Sequence, residues 1–219
     1  MTLRYIILIV PLILHVLAAY AEKPDSAFGP EVWSREKELL RSIEDRGTSK
    51  DQDAETLTYI RLARIFKDNA RELTYLDMAE KSALACGNDG AVAEIMMLRL
   101  EHLATYSDME RFCRYADVVR GYMAERKDRR GANVEYLVIK RHVDEGLTQT
   151  ALQTARKMLS DATVKNDTYR QAYAYYSIGL IYQAVAQYGE SVDALERCVR
   201  MMEGTMKDFP RLDCIKAQL

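Results

Sequence analysis

Helix breakers are scarce in this chain, and that constrains its fold more than any motif does. Only 4 prolines and 10 glycines occur among 219 residues, 48% of which are hydrophobic. Ala, Leu, Met, Glu, Lys and Arg are plentiful, and these residues lose least on entering a helix. An all-α chain is therefore expected. The 31 basic and 33 acidic residues leave a formal charge of −2, which offers no cationic surplus for a nucleic-acid partner.

The first residues read as a targeting segment. Arg4 gives a positive start, Ile6 to Leu17 is an apolar run of 12 residues interrupted by Pro11 and His15, and Ala19-Tyr20-Ala21 places small residues where a signal peptidase reads them. The run is shorter than the roughly 20 residues a spanning helix needs. Residues 1–21 are expected to be a signal peptide, and the protein to be exported to the periplasm with no membrane span after cleavage. Retention as an N-terminal anchor is the alternative. No cysteine stands immediately after the cleavage point, so lipidation is not expected. Residues 22–219 suffice for one domain of ordinary size.

Residues 22–53 read as a leader, a capping helix and a linker. Pro30 suits a first helical turn, Val32, Trp33, Leu39, Leu40 and Ile43 recur with helical period, and Gly47 closes the segment. Residues 54–204 then divide into four helical hairpins. The first runs from Ala54 to Phe66 and from about Leu73 to Ala83, broken at Asn69, with a turn expected over Cys86-Gly87-Asn88-Asp89-Gly90. The second spans Ala91–Ala104 and Asp108–Ala124, the third Asn133–Glu145 and Thr150–Asp161, the fourth Asp167–Val185 and Tyr188–Glu203. In residues 205–219, Asp208-Phe209-Pro210 has the form of a helix start. That segment is either a C-terminal capping helix or part of a further, truncated repeat.

The fourth hairpin carries a spacing signature. Gly179 lies between Ile178 and Tyr182, followed by Tyr188, Ser191, Leu195 and Cys198. Small residues at such offsets let two antiparallel helices approach closely, and the pattern resembles a tetratricopeptide repeat. The same slots fall on Ala63, Tyr75 and Ser82, on Met97, Met109 and Ala116, and on Ile139, Ala151 and Met158. Their first members are 34, 42 and 40 residues apart along the series to Gly179, so the two middle hairpins are irregular and, with Met and Ile in small slots, expected to be wider. The resemblance implies a right-handed stack of antiparallel helix pairs, an α-solenoid of about four hairpins with leading and trailing helices. It also implies that the first helix of each pair lines a concave groove. By that transfer the partner-binding residues are Arg64 and Lys67, Glu94 and Glu101, Tyr136 and Lys140, and Tyr173, Tyr176 and Gln183. Tyr175 would be a core residue, and Tyr182 and Tyr188 would pack within or between helices.

Signatures of chemistry are weak. His102 and His142 belong to no metal-ligand spacing. Ser34-Arg35-Glu36-Lys37 matches SxxK without companion motifs, and reads as a solvated helix face. Asn166-Asp167-Thr168 matches a glycosylation sequon but is also a natural helix start. Arg126, Lys127, Arg129 and Arg130 form the densest basic cluster; it suits a helix C-terminus closed by Gly131, or docking of an acidic partner. Cys86, Cys113, Cys198 and Cys214 form no CxxC. Cys198 and Cys214 lie eight residues either side of Met206, so an oxidising compartment allows a disulfide between them. No catalytic residue, metal or cofactor is expected. The expected function is a non-enzymatic scaffold that binds a protein or peptide. The alternative is the sensory fragment of a repeat-containing histidine kinase or helix-turn-helix regulator lacking its membrane span and effector.

Overall fold

A computed structural model gives the structure of the chain, and it describes residues 23–44 and 52–203. Among the described residues there are nine α-helices, one short 3-10 turn and no strand. The helices are α1 (Pro30–Glu44), α2 (Gln52–Ile65), α3 (Ala70–Cys86), α4 (Asp89–Tyr106), α5 (Met109–Glu125), α6 (Gly131–Asp144), α7 (Thr148–Val164), α8 (Thr168–Ala184) and α9 (Tyr188–Glu203). None is long and apolar enough to cross a membrane. The expected signal peptide, the polar stretch before α2, Cys214 and the trailing helix lie partly or wholly outside the described residues.

The chain forms two compact units divided between Asp108 and Met109, inside the second expected hairpin. In the first unit α1 packs on α2, α2 on α3 and α3 on α4, and α2 also touches α4. Ile60, Leu62, Ala63, Phe66, Leu76, Ala79 and Leu100 are among its deepest apolar residues. In the second unit α5 packs on α6, α6 on α7, α7 on α8 and α8 on α9, and α6 also touches α8. The short connections make these successive helices antiparallel neighbours.

Helix starts follow the sequence. Pro30 is the first residue of α1. Asn69, Asn88 and Asp167 cap α3, α4 and α8, each side chain accepting from the backbone N–H of Arg71, Ala91 and Arg170 respectively. The turn after α3 is shorter than expected, because Asp89 and Gly90 already belong to α4.

Five helix ends share one turn. Gly87, Lys127, Gly146, Asn166 and Ala186 have φ of 69°, 51°, 76°, 53° and 60°. The residue after each donates its N–H five residues back, as Asn88 does to the Ala83 carbonyl at 2.9 Å and Leu147 to that of His142 at 2.8 Å. The αL residue itself bonds three back, as Gly146 does to Val143 at 2.9 Å. Each pair of bonds satisfies two carbonyls a helix end would otherwise leave open. Gly131 is therefore not a terminator. It opens α6, and Lys127 makes the turn.

The spacing signature of the fourth hairpin corresponds to real proximity. Ser191 Oγ donates to the Gly179 carbonyl at 2.9 Å in a buried setting. A Cβ at Gly179 would lie 2.7 Å from Leu195 Cδ2. The α2–α3 and α8–α9 pairs are the most intimately packed, and α6–α7 is looser, as Ile139 and Met158 at its slots require. In α7 the buried residues are Ala151, Ala155, Met158 and Ala162, a nearly bare ridge on which α6 and α8 both rest.

Candidate functional site

Helices α6 and α8 bound a cleft of about 190 Å³ lined by Tyr136, Ile139, Lys140, Val143, Asp144, Ser177 and Leu180. Its α6 residues recur three or four apart and so share one helix face. Ile139 is fully buried at the floor, whereas Lys140 is exposed at the rim and its Nζ lies 2.6 Å from Asp144 Oδ2. Tyr136 forms one wall and stacks on Tyr176, with ring centroids 5.4 Å apart and planes at 26°. Tyr173 meets Tyr136 at 6.1 Å and Tyr169 edge-on at 5.2 Å. Such aromatic contacts are worth about 0.5–1.5 kcal/mol each beyond the area they bury, so they hold α8 on α6 and keep the cleft wall fixed.

The residues transferred from the repeat pattern divide by role. Tyr136 and Lys140 line the cleft. Tyr136, Tyr173 and Tyr176 are 3%, 2% and 5% exposed; only Tyr136 lines the cleft, and the other two support that wall from behind. Gln183 is exposed near the end of α8. In the first unit all four transferred residues come together in two ion pairs that join α2 and the turn after it to α4. Arg64 Nη2 lies 2.7 Å from Glu94 Oε1, and Lys67 Nζ lies 4.0 Å from Glu101 Oε2. Exposed pairs of this kind contribute about 0–1 kcal/mol each.

Two tyrosine expectations need correction. Tyr175 is half-buried and lines a second, shallower cleft of about 200 Å³ between α8 and α9, with the Arg197 guanidinium 5.8 Å from its ring. Tyr188 is 65% exposed, because it stands at the open start of α9. Cys198 is a free thiol with no exposure, and burial pushes its pKa up to about 12 against a weaker opposing hydrogen bond from the Tyr176 backbone. Its suggested disulfide partner, Cys214, lies outside the described residues. In the basic cluster, Arg126 lies over the Tyr122 ring at 3.6 Å, Arg129 over Tyr169 at 5.3 Å, and Arg130 pairs with Asp128 at 2.6 Å.

No protein-family model matches this sequence, and no curated protein matches it.

Two buried polar pairs escaped sequence reasoning. Glu36, expected on a solvated face of α1, is 7% exposed and accepts hydrogen bonds from Tyr75 Oη and, at 2.8 Å, from Arg71 Nη1. Burial, reinforced by the Glu36 hydrogen bond and charge, pushes the Tyr75 pKa up to about 12 despite Arg71. The Arg71 guanidinium also lies 4.8 Å from the Trp33 ring and 5.6 Å from that of Phe66, so α1 is held to α3 by one polar knot among aromatics. His102 Nδ1 lies 3.0 Å from Glu72 Oε2, which also accepts from the Asp68 backbone N–H at 2.9 Å. Partners separated by 39, 35 and 30 residues in the chain leave no local signature.

Proposed function

We propose that this chain is an exported, non-enzymatic helical-repeat protein of the tetratricopeptide kind that binds a segment of a protein or peptide. The observation that carries the reading is the α6–α8 cleft. It has an apolar interior, a fixed aromatic wall and a charged rim at Lys140 and Asp144. About 190 Å³ accommodates one apolar side chain, and the rim offers hydrogen bonds to the backbone around it.

Three features support the repeat assignment. Alternate helices touch in each unit, α2 with α4 and α6 with α8. Five helix ends reuse one turn. The small residue at Gly179 meets Ser191 and Leu195, as the resemblance requires. Export rests on the targeting signal of residues 1–21, and recognition through a helix face needs no covalent chemistry.

Selection of a displayed peptide library on the full chain tests the proposal. Enriched peptides are expected to share one aliphatic or aromatic anchor and to lose about tenfold or more in affinity on Lys140→Glu, an exposed site where the fold is undisturbed. Peptides that bind the Lys140→Glu chain equally well, or a selection that enriches none, would contradict it.

A further inference from the structure

A larger cavity in the second unit has a different character. It measures about 500 Å³, within the usual range of small-molecule sites, and four helices converge on it. Arg120 comes from α5, Glu135 from α6, Thr154, Lys157 and Asp161 from α7, and Arg170 from α8. None of these residues lines the α6–α8 cleft.

Its charges are arranged in two layers. At the back, the largely covered Glu135 carboxylate receives both guanidiniums on one oxygen: Arg120 Nε at 3.0 Å and Arg170 Nη2 at 3.2 Å from Oε1. Arg120 Nη1 also pairs with Asp117. Two arginines against two carboxylates leave this layer close to neutral, yet Arg170 Nε is shielded with no hydrogen-bond partner among the described residues. At the mouth, Lys157 and Asp161 are exposed and have opposite charge. They stand one turn apart on α7, at a spacing that ordinarily pairs such residues, but neither has an ion pair among the described residues.

We propose that this cavity binds a small zwitterion of the free amino-acid class, its carboxylate held by Lys157 and Arg170 and its ammonium group by Asp161. A net anion would bring its charge against the Asp161 carboxylate at the mouth, and an apolar ligand would displace water from both mouth charges without replacing its hydrogen bonds. A molecule carrying both signs a few ångströms apart satisfies Lys157 and Asp161 together. Arg170 offers the planar fork that suits a carboxylate.

The test is a titration of the isotope-labelled full chain with each common amino acid, followed by NMR. For any that binds, the N-acetyl derivative and the methyl ester are compared. Expected are shifts at Lys157, Asp161 and Arg170, and about tenfold weaker binding of each derivative, since each lacks one of the two charges. Asp161→Asn abolishes the preference over the N-acetyl form, and Lys157→Gln weakens the preference over the ester, which Arg170 in part retains. Both residues are exposed on a helix, so the variants retain the fold. The proposal is overturned if no amino acid shifts these resonances, if the zwitterion and its two derivatives bind alike, or if the double variant binds as well as the unaltered chain. None of these outcomes touches the peptide cleft, whose Lys140 test reads independently.

Discussion

Gly179 shows how a single missing side chain sets a helix pair. Its would-be Cβ falls 2.7 Å from Leu195 Cδ2 and 2.8 Å from Leu195 Cγ, and Leu195 is itself 2% exposed. Gly179→Ala therefore introduces overpacking of about 1–3 kcal/mol against a helix-propensity gain of about 1 kcal/mol, and the net change lowers the thermal midpoint. Gly121, inside α5, has nothing within 4 Å of the equivalent position. There the same substitution raises stability by up to about 1 kcal/mol. Melting both variants checks the opposite signs. Cys198 gives a second residue-scale expectation. Its covered thiol, with pKa raised to about 12 by burial, resists alkylation in the folded chain and reacts only on unfolding, whereas exposed Cys86 reacts at once; peptide mass mapping distinguishes them. The Gly179 slot was legible in the sequence because the constraint is local in spacing. The burial of Glu36 was not, since Tyr75 and Arg71 reach it from another helix.

The helices themselves were the most readable level. Apolar periodicity, the break at Asn69 and the helix start at Asp167 placed the described elements close to their observed ends. What periodicity could not supply was the terminating turn. Lys127, Asn166 and Ala186 occupy the left-handed region without being glycine, so Gly131 drew the eye instead. The energetics of these turns are open to test. Gly146→Ala forces a side chain into φ 76° and is expected to cost about 1–2 kcal/mol. Ala186→Gly relieves the same strain at φ 60° and stabilises by less, because glycine loses roughly 0.5–1 kcal/mol more chain entropy on folding. Chemical denaturation of the two variants should give midpoint shifts of opposite sign. Equal shifts would show that the turns are not what limits these helix ends.

Over the whole molecule, two titrating groups report on one unit each. Burial raises Tyr75 from 10.0 to about 12 and Cys198 from 9.0 to about 12. The folded chain therefore keeps protons that the unfolded chain releases. The stability linked to them is complete below the unfolded thiol value of 9.0 and declines as pH rises toward about 12. Urea midpoints should fall as pH rises from 9.0 toward about 12, and Tyr75→Phe should flatten that fall; an unchanged or rising midpoint would contradict the burial of both groups. The candidate site was half legible at this scale. Spacing identified Tyr136 and Lys140, but it could not tell the cleft wall from its support, because Tyr173 and Tyr176 share with Tyr136 the aromatic stack that fixes the wall. Amide chemical-shift mapping of the full chain with a selected peptide tests the central claim most directly. Changes centred on Tyr136–Asp144 and Ser177–Leu180 are predicted; changes confined to other helices would place recognition elsewhere and contradict it.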